Sequence, residues 1–320
     1  MVNIVIGIPS YNEEKNIKFV TRQIALGLNK YFKNSSCLII NIDNHSIDRT
    51  RQEFLNTNTL NIPKIYISTE PNVMGKGNNL FNLFCFVKGL EPKAIATIDA
   101  DLKSISPLWI KELIQPILDG FDFVTPNYLR DKNDATITNH FIYPIMLGLF
   151  NKNIRQPIGG DFAFSTRLVE YWLNQEWNEE IKHFGIDVFM TTNALLGNFK
   201  ITSANLGVKI HKVKEPSRDL SPMFYQVLTT FFDILSKSGK LDRLKSIQYI
   251  EDSWEKTLYN LLVRYKKVND KKTFIESIKS TYLDKVSDFK EKTRFLTSED
   301  VEKEVINQAK AFRKLVIGNN

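Results

Sequence analysis

Short apolar runs alternate with helix-period segments through the first hundred residues, and this alternation constrains the fold more than any other feature. The runs are Val2–Ile8, Cys37–Ile42, Lys64–Ser68 and Ala94–Ile98. Each has the length and apolar character of a strand buried on both faces. Between the first two, Ile17, Val20, Ile24 and Leu28 recur on one helical face up to about Tyr31. Asn12 reads as the N-cap of that helix, with Glu13 and Glu14 in its first turn. A second apolar helix follows Asn79 and runs to about Leu90. Strands separated by helices imply parallel βαβ units, so a Rossmann-like α/β half is expected.

The later chain is less regular. Phe121–Thr125 reads as a further strand, and Asp134–Phe150 as a helix bent at Pro144. A Gly159-Gly160 turn leads into a short strand, and an apolar helix opens near Asp187. Lys200–Lys212 reads as a strand that includes His211. After Pro216 the pattern is helical almost to the end. These signals place one domain over residues 1–240 and a helical packing or oligomerisation region over 241–320. A homodimer is the expected assembly.

The fourth apolar run ends in Asp99-Ala100-Asp101, and Ser106-Pro107 then start a helix over Leu108–Leu118. Two carboxylates therefore stand at the C-terminal end of a central strand, where open α/β sheets place ligands. Hard oxygen donors at that point suit Mg²⁺ or Mn²⁺ completed by phosphate oxygens. The competing reading is that both aspartates only cap a turn. The net charge of +7 is compatible with a polyanionic ligand. No Lys/Arg block interleaved with aromatics is present, which argues against nucleic acid. Two cysteines, Cys37 and Cys85, exclude a disulfide framework and point to a reducing compartment. The first residues enter a strand pattern without a basic leader, and the longest apolar stretch, Phe141–Phe150, is too short to span a bilayer. A cytoplasmic protein with no membrane span is expected.

Several motifs then occur in a fixed order. They are I-P-S-Y-N-E-E at 8–14, D-N-H-S-I-D-R-T at 43–50, G-K-G-N-N at 75–79, the Asp99-Ala100-Asp101 strand end, Q-P-I-G-G-D-F-A at 156–163 and F-G-I-D-V at 184–188. In this order they resemble the GT-A fold glycosyltransferases, and among them the retaining mannosylglycerate and glucosyl-3-phosphoglycerate synthases. The resemblance covers roughly residues 2–235 and leaves out the helical tail. It implies a mixed sheet flanked by helices and a hexosyltransferase that uses a divalent cation, Mg²⁺ or Mn²⁺. The implied donor is a nucleotide-diphosphate sugar of the GDP-mannose or UDP-glucose type, and the implied acceptor a small anionic hydroxy acid.

The resemblance also assigns residues. Pro9, Tyr11, Asn12, Glu13, Asp43, Asp99 and Ala100 would line the donor pocket, with Lys76 on the diphosphate. Asp101 and His211 would hold the cation, with Asp99 a ligand or a partner of its water shell. Gly159 and Gly160 would approach the acceptor with Arg130 and Thr138, and Asp161 and Asp187 would stand beside the sugar. Each has a plainer reading. Glu13 serves equally as a first-turn partner of the helix dipole, Asp43 as a cap, and Lys76 as a solvated lysine on a flexible loop. Asp161 reads equally as a turn residue, Asp187 as a helix cap, and His211 as structural. The alternative reaction is an inverting transfer to a polysaccharide or glycolipid, with Asp187 as general base.

Overall fold

The computed structural model describes residues 2–210, 221–246 and 253–319. In chain order the elements begin β1 (Ile4–Ser10), α1 (Ile17–Tyr31), β2 (Cys37–Asp43), α2 (Thr50–Asn56) and β3 (Lys64–Ser68). They continue with α3 (Lys76–Lys88), β4 (Ala94–Thr97), α4 (Pro107–Leu118) and β5 (Phe123–Leu129). A π-helical turn (Thr138–Ile142) leads into α5 (Tyr143–Phe150), β6 (Phe162–Phe164) and α6 (Thr166–Leu173). Then come α7 (Glu179–Lys182), α8 (Ile186–Leu196), β7 (Ile201–Val208), α9 (Ser221–Lys237) and α10 (Trp254–Lys267). The last elements are α11 (Lys271–Lys292) and α12 (Ser298–Gly318).

Compact packing divides the chain into two units that do not follow a single cut at residue 240. The first comprises Met1–Leu129, Gly159–Ile186 and Asn193–Lys212; the second comprises Arg130–Ile158, Asp187–Thr192 and Val213–Asn320.

The first unit holds a seven-stranded mixed sheet of order β3-β2-β1-β4-β6-β5-β7. β3, β2, β1 and β4 run parallel, β6 is antiparallel to both neighbours, and β5 and β7 are parallel. The apolar runs explain the interior: every residue of β1, β2 and β4 is buried. Ile4, Ile6 and Ile8 join α1 and α4 in one core cluster. Gly27 lets those helices close, since a Cβ there would lie 2.7 Å from the Pro107 carbonyl. On the other face Phe84 of α3 meets Phe164 and Trp172 with ring centroids 5.4 Å away in both cases. The register pairs Ser10 with Asp43, so these two side chains stand together at the ends of β1 and β2.

Several boundaries differ from the sequence reading. α1 begins at Ile17 rather than beside Asn12, because Asn12 takes a left-handed conformation (φ 53°) and turns its side chain to the Ile47 N–H. β7 ends at Val208, before Lys209. The helix expected over Asp134–Phe150 starts instead as the π-helical turn. Pro144 has no N–H to give the His140 carbonyl four residues back. That carbonyl accepts from Trp254 Nε1 at 2.8 Å instead.

The second unit is built around α12 and α5. Tyr143 and Leu147 pack against Val301, Val305 and Ala309. Arg155 grips Glu302 through two bonds of 2.6 and 2.7 Å and donates to Asn139 at 2.8 Å. Among the described residues, no helix is long and apolar enough to cross a membrane.

His140 in this unit is almost fully buried. Burial, reinforced by the Lys285 ammonium, pushes its imidazole from 6.5 down to about 3. The folded protein therefore keeps it neutral where the unfolded chain takes a proton. Stability from this group is complete above pH ~6.5 and is lost as pH falls toward ~3, at up to about 1.4 kcal/mol per pH unit. Urea unfolding at pH 7 and pH 5 is expected to show the parent losing about 2 kcal/mol more than His140→Gln between the two conditions. Equal losses in both proteins would contradict this.

Candidate active site

Two polar clusters form where β1, β2 and β4 end, both within the first unit. At the β1–β2 corner, Asp43 is fully buried. It accepts from Ser10 Oγ at 2.6 Å, the Ser46 N–H at 2.6 Å, Ser46 Oγ at 2.7 Å and the Tyr66 hydroxyl at 2.9 Å. Burial, then the bond to Asp43, holds the Tyr66 phenol above its ordinary range. The loops after β1 and β2 are stitched together. The Asn12 N–H meets Ser46 Oγ and the Glu13 N–H meets Thr50 Oγ1, both at 2.7 Å. Glu13 also accepts from Asn16 Nδ2 at 2.7 Å. Pro9, Tyr11, Asn12, Glu13 and Asp43 thus share one corner. Asp43 anchors it from below, while the Tyr11 ring is 47% exposed.

The second cluster surrounds the end of β4. Asp99 lies just past the strand between two ammonium groups. Lys76 Nζ is 3.0 Å from its Oδ1 and Lys209 Nζ is 3.3 Å from its Oδ2. Lys209 also donates to Asp161 Oδ2 at 2.8 Å and to the Gly159 carbonyl at 2.9 Å. Its ammonium sits 4.9 Å from the centre of the Tyr128 ring. Asp161, with no exposed surface, accepts the Asp99 N–H at 2.8 Å and the Tyr128 hydroxyl. Burial alone would raise the Asp99 carboxyl, but Lys76 and Lys209 prevail and hold it well below the usual carboxylate range. Ala100 is buried and Asp101 is partly exposed.

Local conformation explains why these groups meet. Lys76 is the first residue of α3, not part of a free loop as the sequence suggested. Its neighbours Gly75 (φ 120°) and Gly77 lie flush against Ile181–His183, and any Cβ at Gly77 would run into the Ile181 carbonyl. The Gly77 N–H bonds the His183 carbonyl at 3.1 Å. Gly160 has φ 93°, and a Cβ there would strike the Asp99 carboxylate. The glycines therefore serve close approach as well as turning.

Lys76, Asp99, Gly159, Gly160 and Asp161 come together in this cluster, next in sequence to Asp101. Lys209 was missed by the sequence reading. β7 is half polar and mostly half-buried or exposed, so nothing local marks the lysine that follows it as a buried ammonium with carboxylate partners. Arg130, Thr138 and Asp187 belong to the second unit. There Arg130 donates to Gln156 at 3.0 Å and to Asp134 at 2.8 Å, and Thr138 is buried at the start of the π-helical turn. Asp187 stands in the first turn of α8, behind a Gly185 N-cap. His211 lies outside the described residues.

Among the described residues, no group of three or more His, Cys, Asp or Glu forms a complete metal cage. Both Asp99 oxygens already face ammonium groups. A hard cation that fits this set takes few protein ligands and completes its shell from phosphate and water. With two lysines beside it, the strand end is suited to receive a diphosphate.

The sequence model of glycosyl transferase family 2 matches residues 5–173, more than half of the chain. No curated protein matches it. Among solved structures, it resembles glucosyl-3-phosphoglycerate synthase from Mycobacterium tuberculosis bound to Mg²⁺ and uridine diphosphate. The TM-score is 0.59 at 22% identity, over 73% of this chain and 79% of that one. The same enzyme with Mn²⁺, UDP-glucose and phosphoglyceric acid aligns with TM-score 0.59 and 22% identity, over 74% and 80%. A further mycobacterial protein aligns with TM-score 0.60 and 22% identity, over 79% and 80%. At this identity the likeness establishes the fold, a GT-A-type sheet flanked by helices.

Proposed function

This chain belongs to glycosyl transferase family 2, and we propose that it moves glucose or mannose from a nucleotide-diphosphate sugar to a small anionic hydroxy acid. The observation that carries the reading is the β4 strand end, where Lys76 is 3.0 Å from Asp99 with Lys209 behind it. Tyr11, Asn12 and Glu13 hold the base and ribose over the corner anchored by Asp43. Lys76 turns its ammonium to the diphosphate, where charge builds as the anomeric carbon–oxygen bond breaks. Asp101 and His211 would hold the divalent cation, which would supply Lewis-acid stabilisation of that leaving group.

Transfer proceeds on the face from which the diphosphate departs, because no side chain of the cluster is an obvious nucleophile. The departing phosphate oxygen takes the acceptor's proton, and the configuration is retained. An inverting transfer with Asp187 as base would give the opposite anomer, so product configuration separates the two.

The acceptor reading is supported by the basic chain and by the phosphoglycerate bound in the similar solved enzyme. Arg130 is its contact in this reading. Arg130→Ala is expected to raise the acceptor KM by about tenfold while changing kcat less than about threefold, the pattern of a contact equal in ground and transition states. Steady-state kinetics with 3-phosphoglycerate checks it, and an unchanged KM would remove Arg130 from the acceptor site.

The donor is tested by thermal unfolding with UDP-glucose or GDP-mannose, with and without Mn²⁺. A ligand at a hundredfold excess over its Kd stabilises by about 2.7 kcal/mol. One donor is expected to raise Tm by several degrees, and more with Mn²⁺. No shift with either donor would count against the proposal.

A further inference from the structure

We propose that the C-terminal helices α11 and α12 position the acceptor contact: through Lys132 and Glu302 they fix the segment that carries Arg130. The inference rests on the reading of Arg130 given above, and every residue it uses belongs to the second unit.

Residues 130–135 follow β5 and belong to neither helix nor strand, so no regular backbone ladder sets their shape. Ala135 is left-handed (φ 56°), which a non-glycine residue keeps only where its surroundings impose it. Here α11, α12 and the turn between them impose it. Lys132 Nζ reaches into that turn and donates to the carbonyls of Arg294 at 2.7 Å and Leu296 at 3.2 Å. The Thr136 hydroxyl meets that of Tyr282, a buried residue of α11, at 2.6 Å.

From α12 a continuous polar path leads to Arg130. Glu302 accepts both prongs of Arg155 at 2.6 and 2.7 Å, a charge-assisted fork that fixes the guanidinium plane. Arg155 also donates to Asn139 Oδ1 at 2.8 Å, and Asn139 Nδ2 donates to the Asp134 carbonyl at 3.2 Å. The Asp134 carboxylate accepts from Arg130 at 2.8 Å. Arg130 Nε then donates to Gln156, next in sequence to Arg155, and the path closes on itself. The Arg130 and Arg155 side chains are only 15% and 14% exposed. A guanidinium held this way meets an anion without first being ordered, which lowers the cost of binding.

Glu302→Ala and Lys132→Met are each expected to raise the KM for 3-phosphoglycerate by about fivefold, with kcat changed less than about twofold. Lys132→Arg keeps the donors and the parent KM. In an Arg130→Ala background neither substitution raises KM further, because both act through Arg130. Hydrogen exchange, which needs no turnover, is expected to run about tenfold faster over residues 130–139 in both variants and unchanged over residues 94–97 of β4. Circular dichroism melts establish that each variant is folded. Should Glu302→Ala not fold, Lys132→Met and its arginine counterpart carry the test.

Exchange over 130–139 at the parent rate in the variants overturns the inference. So does the parent KM in them when Arg130→Ala raises it, or a further rise in the Arg130→Ala background. An unchanged KM in Arg130→Ala itself removes the acceptor reading, and this inference with it.

Discussion

Asp101→Ala is expected to lower turnover by about a hundredfold or more, the cost of losing a major electrostatic stabiliser of the leaving group. Asp101 follows β4 by a few residues and is partly exposed, so the substitution leaves the core intact. Its loss should therefore appear in kcat with little change in Tm. Added Mn²⁺ should not restore the rate, because the variant lacks the strand-end carboxylate proposed to bind the ion. Steady-state kinetics beside a thermal melt checks both halves. Unchanged turnover, or full activity of the parent in EDTA, would contradict the cation assignment.

The largest stability effect is expected at Asp161. This carboxylate accepts from Lys209, the Tyr128 hydroxyl and the Asp99 N–H, with no surface exposed. Asp161→Ala strands three donors in the interior, one of them an ammonium group on a side chain only 5% exposed. Breaking one side of a buried ion pair costs about 3–5 kcal/mol, since the remaining charge is desolvated without its partner. Lys209 keeps Asp99 at 3.3 Å, so the lower end of that range is expected. Urea unfolding measures it. A loss below about 1 kcal/mol would mean that water enters and solvates the site, and the buried network would carry little weight.

Sequence legibility follows the range of the interactions involved. The four apolar runs became β1 to β4; β1, β2 and β4 are buried throughout, a local compositional demand, whereas β3 at the sheet edge is only half-buried. The start of α4 was equally plain: Ser106 is extended (φ −127°) and Pro107 opens the helix. The acidic strand end was visible for the same reason, as a strand followed at once by two carboxylates.

What was hidden depends on partners far along the chain. Lys209 is fixed by residues 110, 48 and 50 positions away, so neither the end of β7 nor the lysine's role shows in its neighbours. Pro144 announced an irregularity, but the donor that takes up the freed His140 carbonyl, Trp254, lies 114 residues away. Residues 130–158 join the C-terminal helices because Tyr143 and Leu147 find their apolar partners on α12, a pairing that periodicity cannot name. Asn12 looked like a helix cap, yet its side chain is spent on the loop after β2. The glycine contacts of Lys76 were also hidden, since they come from the backbone of Ile181–His183.

The most direct measurement of the central claim is release of nucleoside diphosphate from UDP-glucose and GDP-mannose in Mn²⁺, with 3-phosphoglycerate, glycerate or glycerol as acceptor. The expected result is release from one donor that requires Mn²⁺ and rises with an anionic acceptor, with the glycosylated acid recovered as product. No release from either donor by the folded protein, or equal transfer to glycerol and to the acids, would contradict it.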